Sequence, residues 1–180
     1  LSISILQGYG VGGSTTVNWT TCFRTPERIL DLWAIRHRVS DLSPQDLVPH
    51  FEATEKRLNI LEWPKEIMNK NNAVLYRGAQ KLGWEASTLR RNVLGCFNSG
   101  YCGMGCPADA KQGMLLTYIP DAVDHGMRLY ANTRATKIIE KNNVITSVVA
   151  RVWDPIKNRP NGKTITIRPK VCVSACGAIN

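Results

Sequence analysis

The 180-residue chain has no run of about 18 apolar residues, so no segment is long and apolar enough to cross a bilayer as a helix. Near Leu1 no basic stretch precedes a long apolar one, so no secretory leader is read there, although a truncated start would hide one. Internal repeats and low-complexity segments are absent, which excludes a solenoid or a disordered linker. The six cysteines contain no C-x2-C pair, the usual spacing of a structural zinc site. Histidine is scarce, at positions 37, 50 and 125 only. A chain of this size can bury a core of its own and does not need a disulfide framework. Apolar neighbours around Cys172 point to a buried thiol. Together these features favour a reducing compartment, and the expected location is cytoplasmic or peripheral at a membrane.

Charge is present but uneven. The net formal charge is +9, and from Met127 to Lys170 ten Lys and Arg stand against only Glu140 and Asp154. A basic surface of that kind attracts anionic cofactors, lipids or nucleic acids. Aromatic side chains do not interleave with the charges, and no recognition motif accompanies them, so nucleic acid is not an expected partner. The bland reading is a solvated outer face of a sheet.

Periodicity then divides the chain into three parts. In residues 1–25 an apolar stretch, Ser2 to Leu6, reads as a strand feeding a glycine-rich loop. Residues 26–126 read as helices and loops. Thr25-Pro26 looks like a helix start, with Thr25 as the cap, and Ile29, Leu30, Trp33 and His37 fall on one face. Ser43-Pro44-Gln45-Asp46 is a second start, with Pro49 expected to delay the regular helix until near His50. Pro64 opens a third stretch that stops at Gly83. Residues 84–109 read as irregular, and Gly113 to His125 as a helix kinked at Pro120, with His125 in a structural role at its end. Residues 127–180 switch to strands. Ala131–Lys141 and Val144–Trp153 are joined at Asn142-Asn143, a loop spans 155–163, Thr164–Arg168 alternates, and Val171–Cys176 reads as a central buried strand.

The stretch Gly8 to Trp19 carries the chemistry. Gly8, Gly10, Gly12 and Gly13 fall within six positions and are followed by Ser14, Thr15 and Thr16. A strand, a bare loop, then backbone N–H groups and hydroxyls at a helix start form a pyrophosphate cradle, and equally an ordinary glycine-rich turn. A second cluster, Cys96, Cys102 and Cys106, has C-x5-C-x3-C spacing. Three thiolates could hold an iron–sulfur cluster, but the cluster reads more naturally as an ordered loop with free thiols or one local disulfide.

Gly12-Gly13-Ser14-Thr15-Thr16-Val17-Asn18, with Phe23 and Pro26 behind it, resembles the first signature of the glucose–methanol–choline (GMC) oxidoreductases. The segment from Cys172 to Asn180 resembles the opening of their second signature, and Gly100 to Gly113 looks like the long-chain alcohol oxidase branch. The resemblance implies an α+β fold: part of an FAD-binding, Rossmann-like domain with helical insertions and a β-meander. It implies FAD as cofactor and an alcohol as substrate, oxidised by hydride transfer to the flavin. By this likeness Gly12, Gly13 and Ser14 let backbone approach the pyrophosphate and flavin, and Thr15 and Asn18 offer hydrogen bonds near the ring system. Ala135 would meet the adenine through backbone, and Ser174 and Ala175 would border the adenosine. Some relatives carry a histidine at the position of Val17 that bonds to the flavin; Val17 cannot, so the FAD would be non-covalent.

The family's first G-x-G-x-x-G unit has no counterpart after Leu1, and its catalytic histidine would lie beyond Asn180. The chain therefore reads as a central fragment, inactive alone, in which none of the three histidines is catalytic. The competing expectation is a non-catalytic remnant or interaction domain of the same fold that no longer binds FAD. Exposed sheet edges make a homo-oligomer a further expectation.

Overall fold

The computed structural model describes residues 2–40 and 42–177. They form two compact units, Leu1–Met127 and Arg128–Asn180. The described residues contain helices and antiparallel sheet, a mixed α and β composition.

In the first unit, helix α1 spans Glu27–His37 and α2 spans Pro44–Arg57. Strand β1, Ile60–Glu62, pairs antiparallel with β2, Arg90–Asn92, and α3, Lys70–Lys81, lies between them in sequence. A short α4, Tyr118–Asp124, closes the unit. Among its described residues four 3-10 turns punctuate it, at Gly13–Thr16, Lys65–Ile67, Cys102–Met104 and Met114–Leu116.

The helix starts follow their capping chemistry. Ser43 accepts from the Asp46 backbone while the Asp46 carboxylate accepts from the Ser43 backbone, a reciprocal capping box with Pro44 at the first position. That anchored first turn carries the helix straight through Pro49, so α2 begins six residues earlier than the expected start at His50; the proline removes one ladder bond and no more. At α1 the cap is Pro26, not Thr25, and no side chain caps the helix. Asn69, rather than Pro64, caps α3 through the backbone of Asn72; Pro64 only precedes a 3-10 turn. The stretch 113–125 divides at Thr117 into a 3-10 turn and α4, with Pro120 in the first turn of α4, where its missing N–H costs nothing.

The first unit's apolar core is small: Leu30, Leu58, Ile60 and Ala110 are buried. Ion pairs supplement it. Glu55 on α2 takes both Arg24, at 2.8 and 2.7 Å, and Arg90 of β2, at 2.5 Å. Arg57 makes a two-pronged bridge to Asp121 of α4 at 2.5 and 2.6 Å.

The second unit is a meander, β3 (Thr133–Lys141), β4 (Val144–Asp154) and β5 (Arg159–Ile167), hydrogen-bonded in that order and antiparallel throughout. The β3–β4 turn is Asn142-Asn143, both with positive φ (54° and 59°), the backbone of a type I′ hairpin that follows the strand twist. At the next turn Asp154 Oδ1 accepts from the backbone of Ile156 and Lys157, so the expected loop of 155–163 shrinks to four residues. Pro160 sits inside β5 because β5 is an edge strand, where a missing N–H is tolerated.

Two expected strands do not form. Ser2 to Leu6 has no ladder partner among the described residues, and Leu6 is 96% exposed. Val171–Cys176 likewise forms no strand ladder with described residues, and Val171 and Val173 are about four-fifths exposed (79% and 81%) with Cys172 only half-buried. An apolar run becomes a strand only where a neighbour completes its hydrogen bonds. All three ladders are antiparallel, so no parallel pair of a doubly wound sheet occurs among the described residues.

Candidate functional site

The glycine-rich stretch folds on itself before it can meet anything else. Gly13 N–H donates to Gly10 O at 3.0 Å, Gly8 N–H to Ser14 Oγ at 2.9 Å, and Asn18 N–H to Ser14 O at 2.8 Å. Its glycines are of two kinds. At Gly8 a Cβ would lie 2.8 Å from Gly13 O, and at Gly12 (φ 91°) it would lie 2.9 Å from Thr16 Oγ1 and 3.0 Å from Leu115. These two let the chain pack against itself. At Gly10 and Gly13 nothing stands within 4 Å of the Cβ position. That outer face, with exposed Ser14, is bare main chain at the start of the Gly13–Thr16 turn.

Thr15 and Asn18 have internal partners. Thr15 Oγ1 donates to Gly12 O at 2.5 Å and accepts from Met114 N–H at 3.0 Å, tying the loop to the Met114–Leu116 turn. Asn18 Oδ1 accepts from Thr20 N–H at 3.2 Å. In contrast Thr16 Oγ1 is buried and has no hydrogen-bond partner. The bare outer face fits a phosphate-bearing group pressed onto main chain; the inner face, filled by the chain itself and by the buried Thr16 hydroxyl, does not.

The residues that fix this loop from behind carried no pattern in the sequence. Lys111 is 5% exposed, and its ammonium donates to three carbonyls: Thr16 O at 2.6 Å, Asn18 O at 2.9 Å and Cys102 O at 2.6 Å. Burial pushes its pKa down, opposed by Cys102 and Cys106. Three oxygens around one cation satisfy all its donors and clamp the end of the loop to the cysteine segment. Thr20 is fully buried with φ 63°, a conformation that β-branched residues rarely adopt. Its hydroxyl donates to Trp19 O and accepts from Arg91 Nε at 2.8 Å, while its carbonyl accepts from Asn92 N–H. Arg91 stacks 4.3 Å above the Trp63 ring and reaches Cys102 Sγ with Nη2 at 3.3 Å. A backbone-fixed position and a lone buried lysine leave no periodic signature, which is why sequence reasoning missed both.

Two cavities flank the clamp. The larger, of about 900 Å³, is walled mainly by Trp19, Trp63, Met68, Leu75, Tyr76 and Leu89, with Arg91 and Lys111 at its polar edge. The smaller, of about 350 Å³, lies between Thr15 and Thr16 of the loop, the 101–107 segment and Leu115–Leu116. Cys106 and Lys111 line both.

The cysteine segment is ordered. Cys96, Cys102 and Cys106 are half-buried free thiols that line the larger cavity. No group of three or more His, Cys, Asp or Glu is placed to hold a metal among the described residues. Burial pushes the Cys106 thiol up, but the N–H groups of Ala108, Lys111 and Ala110 and the Lys111 charge outweigh it, leaving it below the ordinary thiol value. Cys22 goes the other way, raised chiefly by burial. His125 closes α4 with Nδ1 2.7 Å from Asp121 O, at the helix end.

Gly12, Gly13, Ser14, Thr15 and Asn18 are thus one local assembly in the first unit. Ala135 lies in β3 of the second unit, opposite Ala150 and beside a bulge at Thr136, and Ser174 and Ala175 lie in its exposed stretch after β5, outside any strand.

The family model described as GMC oxidoreductase matches residues 2–180. An uncharacterized GMC-type oxidoreductase of Mycobacterium tuberculosis is 32% identical over 98% of this chain and 27% of its own length. Another, of Sinorhizobium fredii, is 32% identical over 96% of the chain and 34% of its own. A long-chain-alcohol oxidase of Arabidopsis thaliana is 30% identical over 99% of the chain and 24% of its own. No solved structure matches. The chain thus spans about a quarter to a third of the length of these relatives. With the loop, the clamp behind it and a match along almost every residue, the chain belongs to the GMC oxidoreductase family.

Proposed function

We propose that this chain is the part of an FAD-dependent alcohol oxidoreductase that presses main chain against the cofactor and walls the substrate side. The observation that carries the reading is the open main-chain face of Gly10 and Gly13 beside exposed Ser14, backed by the Lys111 clamp. In this reading Gly12, Gly13 and Ser14 support the pyrophosphate and flavin edge, and Thr15 holds the loop's shape. Asn18, exposed and with Oδ1 accepting from Thr20 N–H, keeps its amide N–H groups for the group that the loop holds. Ala135, Ser174 and Ala175 border the adenosine half. Val17 offers no nucleophile for a covalent flavin link, so the FAD is held non-covalently. Parallel strands of a Rossmann-like half would come from elsewhere in the enzyme.

When bound, FAD supplies a hydride acceptor for the alcohol carbon. The residues of this chain bind, orient and exclude water; none is assigned the proton-abstracting role. The 900 Å³ apolar cavity suits a long aliphatic alcohol, since burying methylenes is favourable by about 0.8 kcal/mol each. The relatives named long-chain-alcohol oxidases support that substrate class.

The test is spectroscopic. The purified parent enzyme should show the twin flavin bands, and a long-chain primary alcohol added without oxygen should bleach the blue one while a sugar does not. A protein that binds FAD but is bleached only by sugars contradicts the substrate class. A colourless protein that does not respond to FAD would support the remnant reading instead.

A further inference from the structure

The cysteine segment carries chemistry that the flavin reading does not use. Cys102 and Cys106 both line the larger cavity, and only the single turn Cys102–Met104 and Gly105 separate them. The turn is closed by Gly105 N–H on Cys102 O, and Gly105 (φ 90°) then redirects the chain into Cys106. Two cations serve this pair. Arg91 Nη2 sits 3.3 Å from Cys102 Sγ, and the buried Lys111 ammonium, fixed 2.6 Å from Cys102 O, is electrostatically coupled to both sulfurs. Around Cys106 the backbone turns at Asp109 (φ 51°), whose N–H donates to Cys106 O, and the N–H groups of Ala108, Ala110 and Lys111 favour the thiolate. Such a nest favours an anion. Cys106 is half-buried and also lines the second cavity, so a small molecule can reach it from either side.

We propose that Cys102 and Cys106 form a dithiol site for hydroperoxides, with Cys106 as the attacking thiolate and Cys102 as the resolving thiol. The Cys106 sulfur attacks a peroxide oxygen: an S–O bond forms, the O–O bond breaks and hydroxide leaves, giving a sulfenic acid. The Cys102 sulfur then attacks the Cys106 sulfur. An S–S bond forms, the S–O bond breaks, and the oxygen departs as water with the Cys102 proton. Overall the two thiols are oxidised and one peroxide is reduced to two waters or, for an organic hydroperoxide, to water and an alcohol. Cys22, whose pKa is raised by burial, supplies an internal control.

The test treats the protein with one equivalent of hydrogen peroxide, alkylates the remaining thiols and maps each cysteine by peptide mass spectrometry. The expected result is a Cys102–Cys106 crosslink lacking two hydrogens, with Cys22 still alkylated and full reversal by dithiothreitol. Alkylation of Cys106 should fall about ten-fold before any loss at Cys22. In Cys102→Ser, Cys106 should stop at a trappable sulfenic acid; in Cys106→Ser, Cys102 should stay a thiol. Oxidation that begins at Cys22, or both thiols surviving while others react, overturns the proposal. These readouts need no flavin, so their outcome is separate from that of the proposed alcohol oxidation.

Discussion

Glu55 ties the first unit's stability to pH, as does the Arg57-paired carboxyl of Asp121, also held below its usual value. Glu55 holds two guanidinium groups, and the hydrogen bonds from Arg24 and then Arg90 lower its carboxyl from 4.5 to about 2. Between those two values the unfolded chain binds the proton and the folded chain does not, so stability rises with pH across that window. The contribution is fully present above about 4.5 and lost as pH falls toward 2. Glu55→Gln should therefore lower the melting temperature at neutral pH, and the difference from the native protein should shrink as the pH drops. A difference that stays constant down to pH 2 would show that the two arginines do not set this carboxyl. At this scale the sequence was legible where a residue's own chemistry decides: Ser43 and Asp46 announced their capping box, and the Asn pair its turn. It was silent where the fold decides. Nothing near Lys111 marks it as a caged cation, because its three acceptors come from residues 16, 18 and 102.

Among the elements, the β3–β4 hairpin gives the sharpest prediction. Both turn residues occupy left-handed backbone, which asparagine tolerates and β-branched residues do not. Asn143→Val should destabilise the second unit by about 1–2 kcal/mol, whereas Asn143→Gly should be neutral or stabilising. Chemical denaturation monitored at Trp153, whose indole N–H donates to Asn158 at 3.0 Å, reads this directly. Equal stability of the two variants would contradict the type I′ assignment. The hairpin was legible because its alternation and its turn chemistry lie in adjacent residues. The β1–β2 pair was not, since each strand has three residues and their pairing spans some thirty residues of helix and loop. The opposite error arose at Ser2–Leu6 and Val171–Cys176. Their composition is strand-like, but composition supplies no partner.

For the molecule as a whole, the GMC resemblance was legible at both ends and in the middle of the chain, while the way the loop is used was not. Of its four glycines, two serve the chain's own packing, and only the coordinates separate those from the two that stay open. Many large apolar side chains are uncovered, Trp19, Phe23 and Trp84 among them, and the relatives are three to four times longer. Surface of this kind is what an added segment or a second copy would cover. The outer edges of β3 and β5 are unpaired among the described residues and carry Arg134, Lys137, Arg159 and Lys163. Association through those edges is therefore opposed by charge and should strengthen as salt screens it. Light scattering should show a mean mass that rises with salt; a strict monomer at every salt concentration would refute this.

The most direct measurement of the central claim is a titration of FAD into the flavin-free protein, followed by flavin fluorescence, beside the same titration of Gly13→Val. The native protein should quench or shift the flavin and release it intact on denaturation, as a non-covalent cofactor. The variant keeps the Thr15 and Lys111 contacts but sets a branched side chain, strained at φ 56°, on the open face, and should bind at least ten-fold more weakly while retaining its fold by circular dichroism. Equal affinity in the two proteins would mean that the bare loop does not hold the cofactor.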